Sequence, residues 1–235
     1  IQSDGTNTLI SDVRLDSRGE LQSVLQSKKA RISEVPSDSE LTFHAYGEWE
    51  EDCFKYIFGD FSFVIWDKKR KTLVLACDRF GVKPMYYAHL REVLIFSNSI
   101  QAIRSCASLY RELTAIDDRA IGDFLVSGIY NWFDKSLTPF KAIKRLLPAH
   151  YMKYCNSKIK SKRYWAIPTI TSLIRYKRAS DYAEHFRSVL SFAIKDRIDS
   201  DKTVVMMSGG LDSTTIAALT QDMIKKNIIN TELYA

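Results

Sequence analysis

A chain of 235 residues, 46% of them hydrophobic, can bury a sizeable core and has room for one large domain or one and a half. The formal net charge is +6, but the 34 basic and 28 acidic residues are interspersed, which argues against a dedicated nucleic-acid surface. No apolar run reaches the roughly 20 residues that cross a bilayer, and the N-terminus lacks the basic and apolar segments of a signal peptide, so a soluble, cytoplasmic protein without a membrane partner is expected.

In chain order, residues 17–26 read as a short helix, and residues 39–57 as a longer one with Leu41, Ala45, Trp49 and Phe54 near one stripe. From Gly59 the pattern turns strand-like, with Phe61, Phe63 and Ile65 alternating with Ser62, Val64 and Trp66. The basic run Lys68, Lys69, Arg70, Lys71 reads as a solvated hairpin turn rather than a phosphate patch. Residues 72–77 and 93–96 give further strands, with turn chemistry at Gly81 and Pro84 between them. Closely spaced strands beside helices predict an α+β layered domain with antiparallel sheets. Asp117 is a plausible N-cap for a helix through Ile121, Phe124 and Leu125, followed by an irregular aromatic segment, residues 128–140. Residues 151–154 and 163–165 read as two short strands around a polar turn, residues 156–162. Cys53, Cys77, Cys106 and Cys155 form no CxxC pair, so reduced and mostly buried thiols are expected.

The character changes after Pro168. Residues 169–180 are assigned to a linker that separates a first domain, residues 1–168, from a second, residues 181–235. Asp181 and Glu184 stand in capping-box spacing before a helix whose apolar positions are Tyr182, Phe186, Val189, Leu190 and Ala193. A buried strand over residues 203–207, a glycine loop, a helix over residues 214–226 and a strand from residue 233 then begin an α/β unit with a parallel sheet. One strand and one or two helices cannot cover both faces of such a sheet, so this second domain is expected to be C-terminally incomplete.

The glycine loop carries the chemistry. Gly209 and Gly210 let the backbone turn sharply and approach a bound group, and the following helix points free N–H groups at that space. Hydroxyls of Ser208, Ser213 and Thr214 add donors, so phosphate is the natural occupant. A carboxylate, Asp212, is out of place among phosphates unless a magnesium ion joins them. The loop is neither a P-loop nor a dinucleotide fingerprint, since no GK[ST] and no GxGxxG is present. The competing reading is an ordinary glycine turn with Asp212 or Ser213 as helix cap.

The chain resembles the asparagine synthetases and their relatives. The resemblance rests on Ser208-Gly209-Gly210-Leu211-Asp212-Ser213, on Gly59 to Phe63 ending in Trp66-Asp67, and on the run Asp78-Arg79-Phe80-Gly81-Val82-Lys83-Pro84-Met85-Tyr86-Tyr87. Leu147-Pro148-Ala149-His150 and Tyr164-Trp165 are similar to the segments that close the family's first domain. The resemblance implies an N-terminal-nucleophile amidohydrolase-like glutaminase domain, followed by the start of an ATP-pyrophosphatase domain of the adenine-nucleotide alpha hydrolase-like fold. In the family, a first-residue cysteine attacks glutamine and frees ammonia, which reaches a carboxylate that ATP has adenylated. It implies that Met207 lies against the nucleotide, that Ser208, Gly209, Gly210, Leu211, Asp212 and Ser213 hold the pyrophosphate, that Asp212 binds Mg2+, and that Asp38 holds the glutamine amino group. The expected partners are ATP, a small-molecule carboxylate and glutamine, and a homodimer is left open.

The first domain departs from the family pattern. Residue 1 is Ile1 and the first cysteine is Cys53, so the nucleophile is absent from this chain, whose first domain is expected to be N-terminally incomplete. Where glutamine-hydrolysing members have Asn-Gly-Glu, this chain has Asp12-Val13-Arg14, which places a carboxylate where an oxyanion develops and a Cβ where close approach is wanted. Ser99 also stands where many members have glutamate. The leading expectation is a glutamine-hydrolysing asparagine synthase. A second is a ligase that uses an amine of its own substrate, as the β-lactam synthetases and lasso-peptide cyclases do, and a third is a non-catalytic scaffold.

Overall fold

The large apolar side chains Phe61, Phe63 and Ile65, two residues apart, build the strand on which the first part of the molecule is assembled. The computed structural model describes residues 1–129, 133–169 and 173–235, and the chain divides into two compact units, Ile1–Ile167 and Pro168–Ala235. The first unit opens with β1 (Gln2–Ser3) and β2 (Asn7–Asp16), then β3 (Phe58–Asp67) and β4 (Thr72–Cys77). After β5 (Tyr86–Leu90), β6 (Val93–Ser97) and β7 (Ile143–Arg145) come β8 (His150–Cys155) and β9 (Lys158–Arg163). One antiparallel sheet has the order β1-β2-β3-β4-β8-β9, and a second the order β6-β5-β7.

Three apolar clusters set four layers. On one face of the larger sheet, Phe61, Phe63 and Ile65 bury against Leu21 and Leu25 of α1 (Arg18–Ser27) and Leu41 and Ala45 of α2 (Asp38–Trp49). On its other face, Val64, Leu75 and Met152 meet Met85 and Leu146, with Tyr87 and Phe96 packed beside them. The far face of the smaller sheet, through Ala88 and Ile143, packs on Ile103 of α3 (Ile100–Arg104) and Leu113 of α4 (Tyr110–Thr114). Helix, sheet, sheet, helix is the layered α+β arrangement expected. Each fully buried Phe, Leu or Ile contributes about 1.5–3 kcal/mol relative to exposure, so the two sheets are held by side chains rather than by any covalent link.

Several local expectations need correction. The helix expected over residues 39–57 stops at Trp49 because Glu50 takes φ 51°, and a 3-10 turn, Glu50–Lys55, continues the path with Cys53 and Phe54 still buried. Ser37, whose hydroxyl accepts from the Glu40 N–H, caps α2. The turn expected over residues 156–162 is only Asn156 and Ser157, at φ 49° and 57°. Two consecutive left-handed residues match the twist of a tight hairpin, and β9 starts at Lys158. Strand β2 was not foreseen, because Ser11 interrupts the alternation of Leu9, Val13 and Leu15. Its hydroxyl instead meets that of Ser39 on α2 at 2.8 Å. Asp117 does cap α5 (Asp118–Ser127), accepting from the Arg119 N–H at 3.0 Å. Residues 130–132 of the irregular aromatic segment, and 170–172 of the expected linker, lie outside the described residues.

The basic run does form the β3–β4 turn, but Arg70 is not simply solvated. It pairs with Glu50, with Glu51 at 3.8 Å and with Asp67 at 3.5 Å. All four cysteines are free; Cys53 and Cys77 are buried, while Cys106 and Cys155 are partly exposed.

The second unit contains α6 (Ala179–Arg197), β10 (Lys202–Val204), α7 (Leu211–Lys225) and β11 (Glu232–Tyr234). β10 and β11 pair in parallel with α7 between them, the βαβ start that the α/β reading required. The capping box at Asp181 and Glu184 is not used: α6 begins at Ala179 after Arg178, which provides no side-chain cap, and Asp181 pairs with Arg178 at 3.5 Å. The strand expected to be buried over residues 203–207 is three residues long and largely exposed, with Val204 66% accessible, and Phe186 and Val189 on α6 are open too. Two strands and two helices offer too little surface to cover these positions. α6 and α7 are joined by the Arg187–Asp222 ion pair at 2.6 Å, and each buries one apolar side chain, Ile194 and Met223. No helix among the described residues is long and apolar enough to cross a membrane.

Two measurements check this frame. Gly59 sits at φ 127°, and a Cβ there would collide with the Arg14 carbonyl and stand 2.9 Å from Asp16 N. Gly59→Ala should therefore cost about 3 kcal/mol in urea unfolding, whereas Gly122→Ala, in a helix with open space around it, should gain about 0.5–1 kcal/mol. Burial pushes the Cys77 thiol up to about 12, and Cys53 also upward. Iodoacetamide at pH 8 should then label Cys106 and Cys155 in the native protein and spare Cys53 and Cys77 until urea is added.

Candidate functional site

β10 delivers the chain to Ser208, and Gly209 turns it at φ 73°, a conformation that costs a residue with a Cβ about 1–2 kcal/mol. Gly210, extended at φ −84° and ψ 169°, is the N-cap position of α7 and provides no side-chain cap. The N–H groups of Leu211, Asp212 and Ser213 stand in the first turn, where no intrahelical carbonyl reaches them. They join the positive end of a 15-residue helix dipole. The loop is open: Ser208, Gly209, Gly210, Leu211 and Asp212 are exposed, Leu211 at 83%, and Met207 just before them is 44% exposed.

Side chains pre-set this cradle. The Ser208 and Ser213 hydroxyls meet at 3.2 Å, Ser213 Oγ accepts from the Ser208 N–H at 3.3 Å, and Ser208 Oγ accepts from the Gly210 N–H at 3.3 Å. Thr214 is different from the expectation: its hydroxyl donates to the Gly210 carbonyl at 2.8 Å and so holds the helix start rather than facing a ligand. Among the described residues no hydrogen bond or ion pair engages the Asp212 carboxylate, and neither it nor Ser213 acts as the helix cap. Among the described residues no group of three or more His, Cys, Asp or Glu is arranged to hold a metal ion. A lone carboxylate beside free amides nonetheless fits magnesium, which keeps several waters and is held by one or two carboxylates together with substrate phosphates.

The first unit holds a cavity of about 340 Å³ between its two sheets, lined by Ser11, Asp12 and Ser62 on one side and Met85, Ser97 and Asn98 on the other. Asp12 projects from β2 toward Lys83, and the two pair at 3.0 Å. Val13, the next residue, packs into the helix-side core, so its Cβ does not enter the cavity as the sequence suggested. Asp38 does not line the cavity either. Its Oδ2 accepts from the Leu15 N–H at 2.8 Å on the open edge of β2, and its Oδ1 faces Arg18 Nε at 3.5 Å. Ser99, at the position singled out in the sequence, is the N-cap of α3, its hydroxyl accepting from the Ala102 N–H at 3.4 Å. Cys53, the first cysteine of the chain, is not placed to act as a nucleophile, since it is fully buried and burial raises its thiol pKa.

Lys83 and Arg18 were missed as partners of Asp12 and Asp38. Pairings across a sheet cannot be read before the register is known. That Lys83 belongs to a tight loop beside the cavity follows only from the hydrogen bonds that fold that loop.

Two comparisons bear on what this arrangement is similar to. The family model described as "Glutamine amidotransferase domain" matches residues 3–165, and that described as "Asparagine synthase" matches residues 185–231. "Asparagine synthetase [glutamine-hydrolyzing] 3" of Bacillus subtilis (strain 168) is 30% identical over 94% of this chain and 35% of its own length. "Asparagine synthetase [glutamine-hydrolyzing] 2" of the same organism is 28% identical, over 92% of this chain and 29% of its own length. "Amidase chyE" of Penicillium rubens is also 28% identical, over 81% and 27% respectively. The chain thus spans about a third of the length of these curated relatives.

The loop geometry predicts a separation of stability from ligand binding. Asp212→Asn should cost no more than about 0.3–1 kcal/mol, the loss of a first-turn carboxylate at the positive end of the α7 dipole, because it has no other protein partner among the described residues, while Gly209→Ala should cost about 1 kcal/mol from φ strain alone.

Proposed function

Because the chain belongs to the glutamine amidotransferase domain family, we propose that it works as part of a cytoplasmic, ATP-dependent, amide-forming ligase of the asparagine synthetase type. Residues 1–168 form its glutaminase-like domain, 169–180 the linker, and 181–235 the beginning of the synthetase domain. The observation that carries this reading is the open cradle at residues 208–213, with unpaired first-turn amides beside an unpaired carboxylate. Met207, Ser208, Gly209, Gly210, Leu211 and Ser213 hold the nucleotide and its pyrophosphate. Asp212 holds a magnesium ion, which supplies charge neutralisation on the leaving phosphates.

The chemistry follows from leaving groups. A carboxylate oxygen of the acceptor attacks the α-phosphorus of ATP, the bond to the β-phosphate breaks, and pyrophosphate departs. An amine then attacks the acyl carbon and AMP leaves, which is far easier than expelling an oxide from a carboxylate. Fixed amides aimed at the departing phosphates stabilise that developing charge without reorganisation. Glutamine supplies the nitrogen in the first form of the reading, which the family membership and the names of the relatives support.

A specific observation favours a second form, in which the amine belongs to the substrate. Asp12 and Asp38, which stand where the family holds glutamine, are both taken by internal cations, Lys83 and Arg18. A carboxylate in place of an amide donor also repels an oxyanion, and losing one such donor typically costs about a hundred- to a thousand-fold in rate.

The test uses the full-length protein with ATP, magnesium, L-aspartate and L-glutamine, with AMP and glutamate both measured. AMP formation that depends on the carboxylate, and that falls about a hundredfold in Asp212→Asn, is expected. Glutamate released in step with AMP selects the glutamine form, and AMP without glutamate selects the substrate-amine form. Failure of the full-length protein to bind ATP with magnesium at all would return the chain to the scaffold reading.

A further inference from the structure

A second concave site lies in the first unit, lined by other residues than the cavity between the two sheets. It has a volume of about 500 Å³ and is lined by Arg79, Phe80, Lys135, His150, Arg163 and Trp165, among others. That size falls in the range of small-molecule pockets. The ionisable side chains on its wall are all basic, and none is acidic.

Arg79 is the informative residue. Its guanidinium lies 4.0 Å above the Phe58 ring and 5.5 Å from the Trp165 ring, a stacked position that suits arginine and not lysine. Its Nε is buried without a hydrogen-bond partner, and among the described residues no carboxylate pairs with it. Burial lowers its pKa, with the Tyr164 hydroxyl as the other group acting on it. A guanidinium with a buried, unpaired Nε and no counter-ion among the described residues is costly, and the fork it presents matches a carboxylate or a phosphate in two hydrogen bonds. Other arginines of this unit show the contrast: Arg70 and Arg119 are engaged by Asp67 and Asp117.

The rest of the wall supplies a place for an apolar or planar body. Phe80 is 69% exposed and meets the Trp165 ring edge to face at 5.5 Å. A large aromatic ring left that open beside a second one is unusual unless something stacks on it. The backbone here is fixed rather than loose. Phe80 N–H donates to Asp78 Oδ1 at 2.9 Å, and Tyr164 hydroxyl donates to the Cys77 carbonyl at 2.8 Å, so Phe80 and the residue that precedes Trp165 are both tied to the end of β4. His150 Nδ1 is held 2.8 Å from the Pro148 carbonyl, which fixes that ring as well.

We propose that this pocket binds a small organic oxyanion, a carboxylate or phosphate whose head pairs with Arg79 and whose planar body lies on Phe80 and Trp165. The site is separate from the loop at residues 208–213 and does not depend on how that loop is used. It is built entirely from the first unit.

The probes are 1-naphthoate and 1-naphthyl phosphate, with the neutral 1-naphthalenemethanol as control. The readout is the indole N–H resonance of Trp165 in the 15N-labelled full chain, assigned with Trp165→Phe. A saturable shift with at least one of the anions is expected, weakened about tenfold or more in Arg79→Gln and in Phe80→Ala and absent or much weaker with the alcohol. Phe80→Ala guards against misfolding, since that side chain is mostly in solvent, and the anion giving the tighter curve identifies the head group. Three results overturn the proposal: no saturable shift with either anion, equal affinity in a folded Arg79→Gln protein, or an alcohol that binds as tightly as the anions.

Discussion

The first unit depends on one carboxylate. Asp78, fully buried at the end of β4, accepts hydrogen bonds from the backbone N–H groups of Phe61 at 3.3 Å, Phe80 at 2.9 Å, Val82 at 3.1 Å and Lys83 at 2.9 Å. Its own N–H and carbonyl are used too, by the Phe61 carbonyl and by the N–H groups of Gly81 and Ala149. A buried charge is tolerable only with this degree of satisfaction, and removing it would leave several amides orphaned. The loop tied down in this way places Lys83 against Asp12 on one side and Arg79 and Phe80 in the basic pocket on the other. Gly81, at φ 68° with the Pro148 ring 2.9 Å from where a Cβ would be, completes the turn.

The second unit follows a different logic. Among the described residues its loop has no buried charge, and it is held by hydroxyl contacts of Ser208, Ser213 and Thr214 and by a helix start. What it offers is unspent hydrogen-bonding capacity, held open at the surface by Gly209 and by the dipole of α7. Such a site has little to lose from Asp212→Asn in stability and much to lose in ligand chemistry. In the first unit, by contrast, cations of the same chain engage Asp12 and Asp38.

Much of this was legible in the sequence because it is local. The β3 alternation, the Asp117 cap and the glycine loop each declare themselves within a few residues. Strand β2 did not, since Ser11 serves a hydroxyl contact with Ser39 that no periodicity can show. The β9 start was misplaced because Asn156 and Ser157 form a two-residue turn without the glycine that usually signals one. In the second unit, apolar spacing along α6 was read as burial, but Phe186 and Val189 lack enough partners within the unit to be covered. Ion pairs across the sheets were illegible for a simpler reason, because partners such as Asp12 and Lys83 meet only once the register is set.

The most direct measurement is binding at the loop. In the 15N-labelled chain, pyrophosphate with magnesium should shift the backbone amides of Gly209, Leu211, Asp212 and Ser213 saturably, and Asp212→Asn should weaken the effect of magnesium while leaving the fold intact. Amides at residues 208–213 that stay unmoved while signals elsewhere respond would contradict the assignment of this loop as the phosphate site.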